Sequence, residues 1–254
     1  MKTLAILNQK GGSAKTTTAV NLGAALAEKK KRVLLIDLDP QGSASSWLGF
    51  RNSSKDLYDI FTGNAGNYSL SGISCKTVIA GLDIISASPW LVSIDKALAS
   101  EIGAESILKR YLTGISQWDY VLLDCSPTLG IMSLNALVAA DNMVIPVETH
   151  IMAIQGLAQL LHTVSMVKER LNPRLEIDGI LPCRVNKRTR LSQDIIADLR
   201  KRFGDKIYET VIRENVKLAE APSFGKPITI YDSKSSGAED YRSLASEIIK
   251  RNKV

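Results

Sequence analysis

Cysteine is scarce, long apolar runs are missing, and the first 183 residues carry no excess of either charge. Cys75, Cys125 and Cys183 are too few and too scattered for a disulfide framework or a paired-cysteine metal site. No apolar stretch approaches the roughly 18 residues of a membrane span. The chain enters a strand-like run at residues 4–7 without the charged-then-apolar layout of a secretory leader. Neither internal repeats nor a disordered composition are visible. What is left is a cytosolic protein of 254 residues, 45% hydrophobic, large enough to bury a substantial core unaided.

The charge that is present is segregated. Residues 1–183 hold sixteen Lys and Arg against sixteen Asp and Glu, whereas residues 184–254 hold sixteen against ten. The whole net charge of +6 therefore lies in the last 71 residues. A basic end on a neutral body suits a polyanionic partner, nucleic acid or anionic lipid; it also suits a solvated, solubilising surface.

Strand-length apolar runs at residues 4–8, 33–38, 82–87, 120–124, 143–147, 177–185 and 207–212 alternate with helix-period stretches at 16–30, 89–112, 154–171, 191–203 and 237–251. Several runs are continuously apolar, as in strands covered on both faces. The alternation predicts an α/β fold, a doubly wound, mostly parallel sheet with helices on both faces. Residues 49–81, rich in Gly, Ser and Asn, read as loops with a short helix around 57–61, so residues 1–254 are expected to form one domain. Ligands of such sheets sit beyond the carboxyl ends of the strands. Gly11 and Gly12 follow the first strand there, Asp37 and Asp39 the second, and Asp124 another.

Lys10-Gly11-Gly12-Ser13-Ala14-Lys15-Thr16-Thr17 joins a strand to a helix. A glycine-rich turn at a helix N-terminus aims free backbone N–H groups at an anion, with the helix dipole in support. Lys15 is placed to reach terminal phosphates and the Thr16 hydroxyl to bind Mg²⁺. The strict phosphate-loop pattern is not met, because Gln9 and Ala14 occupy its glycine positions; the match is to a deviant form with a second lysine, Lys10, five residues upstream. Asp124 ends the run Tyr120-Val121-Leu122-Leu123, where a carboxylate suits a Mg²⁺-bound water and equally a plain turn or cap. Pro127 and Gly130 allow the following loop to sense a γ-phosphate. Asp37 and Asp39 share a face if the strand continues through both; one can orient an attacking water and the other support metal or lysine. Asp39-Pro40-Gln41-Gly42 is also an ordinary turn sequence.

Taken together, KGGSAKTTTAVNLGAALA, VLLIDLDPQGSA, YVLLDCSPTLG and NVKLAEAPSFGKPITIYDSKSSGAEDY resemble the ParA/Soj branch of the ParA–MinD deviant Walker ATPases. The likeness runs nearly end to end and is weakest over residues 49–112. It implies an ATP- and Mg²⁺-dependent homodimer, non-specific double-stranded DNA binding by the ATP form, and hydrolysis stimulated by a ParB-type partner. By resemblance, Lys10 is the lysine that reaches across the dimer, and Gly11 is the residue kept small where two phosphate loops face each other. Gly12, Ser13, Ala14, Lys15, Thr16 and Thr17 complete the phosphate site. Asp39 positions the hydrolytic water and, with Thr16 and Asp124, serves the metal. Two departures stand out: Ala14 replaces the commonest glycine, and Ser43 the usual asparagine.

At the basic end, the resemblance places a DNA contact at Arg188, with Arg190, Arg213 and Lys217 as further candidates. Arg184 and Asn186 fall on an adenine-side segment, although a loop Asn also suits a turn. Lys250, Arg251 and Lys253 extend the basic end, and Arg200-Lys201-Arg202 suits a solvated helix face. No helix-turn-helix precedes the first strand, so contacts to the phosphate backbone are expected without base readout. A MinD-like membrane switch is the alternative, with residues 244–251 as the candidate amphipathic helix, although their apolar residues read better as the core face of the last helix; stable membrane association is not expected. An electron carrier of related fold would need a cysteine pattern that Cys75, Cys125 and Cys183 do not supply.

Overall fold

A computed structural model describes residues 1–50, 56–63, 69–149 and 152–252, with side chains of 152–155 excepted; Lys253 lies outside them. A seven-stranded sheet has the order β3-β4-β2-β5-β1-β6-β7. Its strands are β1 (Lys2–Ile6), β2 (Val33–Asp37), β3 (Cys75–Lys76), β4 (Leu82–Ile85), β5 (Tyr120–Asp124), β6 (Asn142–Glu148) and β7 (Glu176–Cys183). All neighbours are parallel except β3, which runs against β4. The doubly wound α/β arrangement is as expected.

Successive residues of the central strands feed opposite faces. Leu4, Ile6, Leu35 and Leu122 join a core with α1 (Lys15–Glu28) and the last helix, whereas Ala5, Leu7, Ile36 and Leu123 face the other layer. This double burial explains the unbroken apolar runs. After β2 come the short helices α2 (Ser43–Trp47), α3 (Leu57–Thr62) and α4 (Leu70–Ile73). Residues 89–112 are not the single helix expected: α5 (Ile94–Ala97) and α6 (Ile107–Leu112) are separated by Gly103, whose positive φ of 74° breaks the helix. Then follow α7 (Ile131–Ala139), α8 (Met152–Arg170), α9 (Arg190–Phe203), α10 (Val216–Glu220), α11 (Ile228–Tyr231) and α12 (Ser236–Asn252).

One further expectation fails. Residues 207–212 form no strand; they run along the outer side of β7 with isolated parallel bridges at Ile180–Ile207 and Val185–Arg213. Tyr208 explains the close approach: its ring stands where a Cβ on Gly179 would lie 2.6 Å away, and its hydroxyl donates to Asp178. The last helix is no free amphipathic surface: its apolar residues are a core face, as its sequence suggests. Leu244, Ala245 and Ile248 are wholly buried in the core shared with α1.

Candidate functional site

Parallel register brings three strand ends level. Ile6 pairs with Asp124, and Asp124 pairs with Asp37, so the loop after β1 and both carboxylates meet at one edge of the sheet. The loop then turns sharply into α1 through Gly12 at φ 74° and Ala14 at φ 68°. Helix α1 has no side-chain cap and no acidic residue in its first turn, so its leading N–H groups face the loop mouth without a protein acceptor from a capping side chain. Ser13 Oγ is buried there with no partner among the described residues. An oxyanion such as a phosphate satisfies such a helix start.

Ala14 answers the question its sequence position raises. The left-handed backbone is open to Gly at little cost and disfavours a Cβ by roughly 1–2 kcal/mol, part of which is offset by the greater freedom glycine has when unfolded. Ala14→Gly is therefore expected to stabilise the fold by about 0.5–1 kcal/mol, raising Tm by about 2 °C in a thermal melt. A lower Tm would show that the loop prefers its methyl group.

The Lys15 ammonium folds back on the loop, donating to the Lys10 carbonyl at 3.1 Å. Burial lowers its pKa, opposed by the charges of Asp124, Cys125 and Asp39. Asp124 is fully buried, and neither carboxylate oxygen has a well-formed hydrogen bond among the described residues. Burial pushes its pKa well up and Asp37 adds to that, while the Thr16 hydroxyl and Lys15 oppose it. A carboxylate stranded beside a threonine hydroxyl and a phosphate-sized loop is suited to a divalent cation that takes most ligands from phosphate and water. No group of three or more His, Cys, Asp or Glu suited to a metal occurs among the described residues, so the site is not a dedicated protein cage.

Asp37 has a different role from Asp39. Strand β2 ends at Asp37, so the two-residue alternation does not carry through to Asp39. The Asp37 carboxylate accepts the Ser45 N–H and hydroxyl at 2.8 and 2.7 Å; burial raises its pKa to about 6 against those bonds. Asp39 is half-buried in the turn beyond, free of the sheet, and near enough to act electrostatically on both Lys15 and Asp124.

Lys10, at the loop's start, has its ammonium 3.7 Å from Glu148, which also binds Arg184 at 2.8 Å. Glu148 was not picked out from sequence, where it is one carboxylate after an apolar run. Gly11 is exposed and a Cβ on it would meet nothing within 4 Å, so nothing within the protomer demands glycine there.

Beside the loop lies a cleft of about 290 Å³, lined by Ala14, Thr17, Cys183, Arg184, Ile212, Leu218 and Tyr241 among others. Its apolar walls suit a flat ring attached to the phosphates. Arg184 is at this cleft, in left-handed backbone at φ 52°. Asn186 is not: its side chain accepts the Arg188 N–H at 3.0 Å and donates to Glu214 at 3.3 Å, which makes it the organiser of the 186–189 turn. Ile212 reads as the end of a strand, and Leu218 lies on α10, a helix of five residues too short to show a period.

The basic candidates separate in the same way. Arg188 and Arg190 are exposed on the loop leaving β7 and at the start of α9, and neither has an ion-pair partner among the described residues. Arg213 is instead committed to the fold, bonded to Asp240 at 2.7 Å, Glu239 at 3.1 Å and the Ser236 carbonyl at 3.1 Å. Lys217 is exposed, but pairs with Glu220 at 2.9 Å and lies 5.9 Å from the centre of the Tyr231 ring. Arg251 is likewise turned inward, stacking over Tyr208 at 4.5 Å.

Comparison with known proteins agrees with this geometry. A family model described as "AAA domain" matches residues 1–177. The sporulation initiation inhibitor protein Soj of Bacillus subtilis is 46% identical over 250 residues, covering 97% of this chain and 98% of that one. The chromosome partitioning protein ParA of Caulobacter vibrioides is 42% identical over 258 residues, covering 100% and 96%. A crystal structure described as cobyrinic acid a,c-diamide synthase from Mycobacterium smegmatis, with bound ATP analog and magnesium, superposes with a TM-score of 0.86 at 32% identity, covering 100% of this chain and 96% of that one. On the strength of the level strand ends, the deviant phosphate loop and these full-length relatives, the chain belongs to the ParA/Soj family of partitioning ATPases.

Proposed function

We propose that residues 1–254 act as a single cytoplasmic P-loop ATPase domain that pairs with a second copy on binding ATP and then holds DNA non-specifically for partitioning. The observation that carries this reading is the stranded Asp124 carboxylate facing an uncapped helix start. Backbone N–H groups of residues 11–17 cradle the phosphates, and Lys15 neutralises them. Thr16 and Asp124, with Asp39 nearby, would hold Mg²⁺, which when bound would supply charge neutralisation for the phosphates. Asp39 orients the attacking water. The adenine lies in the cleft between Arg184 and Ile212. The ATP analog and magnesium in the Mycobacterium smegmatis structure support this ligand pair.

Dimerisation follows from charge and shape. Lys10 extends from the loop mouth, where it reaches the phosphates of a second copy. Glycine at position 11, undemanded by its own protomer, suits close approach of that copy. A ParB-type protein then accelerates hydrolysis, and release from DNA returns monomers. The membrane alternative loses its main support, because the apolar face of α12 is spent in the core.

Arg188 and Arg190 from both copies offer about four cationic contacts, so log K for duplex DNA is expected to fall against log[salt] with a slope of about −3 to −4. Duplex binding measured with ATP, ADP and no nucleotide at two salt concentrations tests the reading. Binding of equal strength in all three states would overturn it, as would ATP-dependent liposome pelleting stronger than DNA binding.

A further inference from the structure

Between β2 and α2 the backbone is organised by one small side chain. Ser45, in the first turn of α2, is 4% exposed. Its N–H and its hydroxyl both donate to Oδ2 of Asp37, at 2.8 and 2.7 Å. Its Oγ accepts the N–H of Ala87, just beyond β4, at 2.8 Å. Oδ1 of Asp37 accepts the Asp39 N–H at 3.3 Å. Asp39 then closes its own turn, its carboxylate accepting the Gln41 N–H at 3.0 Å and its carbonyl the Gly42 N–H at 2.8 Å. A continuous hydrogen-bonded chain thus runs Ala87–Ser45–Asp37–Asp39, from just beyond the neighbouring strand to the backbone N–H of Asp39.

We propose that Ser45 is a positioning residue for ATP hydrolysis, fixing through Asp37 and Ala87 where the Asp39 carboxylate stands. The inference rests on the reading of Asp39 given above and adds a residue to it. The physical need is specific. Asp37 is wholly buried, so its oxygens require donors, and among the described residues the Ser45 hydroxyl alone both donates to it and accepts from β4's end. Without the hydroxyl, Oδ2 keeps only a backbone donor and the Ala87 N–H loses its acceptor. The turn holding Asp39 then keeps backbone ties to β2 and β5, through the Ser45 and Asp39 N–H bonds to Asp37 and the Leu38 N–H bond to the Asp124 carbonyl, but loses the side-chain link to the end of β4. The phosphate loop, built on β1 and α1, is not part of this network. A shift of about 1 Å at a reacting group lowers rates on the order of a hundredfold, whereas substrate binding through other elements persists.

Ser45→Ala is expected to lower kcat by about 10- to 100-fold while KM for ATP changes by no more than about twofold. Ser45→Thr, which keeps the hydroxyl, restores most of kcat. Ser45→Cys keeps the shape but offers only a weak donor, and gives the same loss as alanine; it serves if the alanine variant does not fold. The assay is steady-state phosphate release for these variants beside Asp39→Ala. Wild-type kcat in Ser45→Ala or Ser45→Cys, with Asp39→Ala inactive, overturns the Ser45 assignment alone. An active Asp39→Ala overturns the underlying reading instead. Loss of kcat accompanied by an equal rise in KM and no rescue by threonine marks Ser45 as merely structural and also overturns the inference.

Discussion

Asp39→Ala is expected to bind ATP, to pair with a second copy, and to release phosphate at least about a hundredfold more slowly than the parent chain. The fold does not depend on this carboxylate. The end of β2 is secured by Asp37 and Ser45, whereas the Asp39 side chain accepts one backbone N–H in an exposed turn. Lys15, Thr16 and Asp124 stay in place, so nucleotide and metal remain bound when the water loses its orienting group. The outcome is a long-lived ATP dimer, read as a shift in size-exclusion elution with ATP and a flat phosphate-release trace. Rapid phosphate release from this variant would falsify the role given to Asp39. Loss of the ATP-induced dimer would place Asp39 in the interface and not in the chemistry.

Arg188→Glu has the second large effect, at the other end of the site. The Arg188 guanidinium projects from a turn held by Asn186 and Thr189 backbone and side-chain bonds, none of which uses its own side chain. Reversal is therefore neutral to the fold and changes the charge of a dimer by four. Each phosphate contact contributes about −0.9 to the salt slope, so losing two of about four halves it to about −2. At 0.1 M salt that corresponds to nearly two decades of affinity, with like-charge repulsion adding to the loss. Titration of duplex DNA in ATP at several salt concentrations reads both quantities, while ATPase activity without DNA stays at the parent level. Unchanged affinity and slope would remove Arg188 from the DNA surface. Arg213, tied by Asp240 and Glu239, is the poorer place to look.

The phosphate loop could be read from sequence because its chemistry is local: Lys10 to Thr17 are contiguous, and glycine turns and helix starts obey short-range rules. Central strands were legible for a related reason, since burial on both faces leaves unbroken apolar runs such as residues 33–37. What escaped depends on long-range contact. Residues 207–212 have the composition of a strand, yet Tyr208 and Gly179 hold them beside β7 with only isolated bridges. Helix α7 was missed since its mean apolar character hides any period, and the break at Gly103 divides an otherwise helix-like stretch. Charge posed the same difficulty. Arg188 and Arg213 are both basic residues near the same sheet edge, and only the carboxylates of a helix 26 and 27 residues further on separate their roles.

The sides of the sheet carry one more consequence. At one margin β3 is two residues long, antiparallel, and ends in exposed Lys76; at the other, the 207–213 segment lies along β7. Neither margin offers a long open ladder for another chain to extend, which guards against strand-on-strand aggregation. The pairing proposed above uses instead the loop end of the strands, where a bound nucleotide would govern whether contact lasts. On the proposed reading, in which copies pair and part on DNA, margins that do not zip favour reversibility.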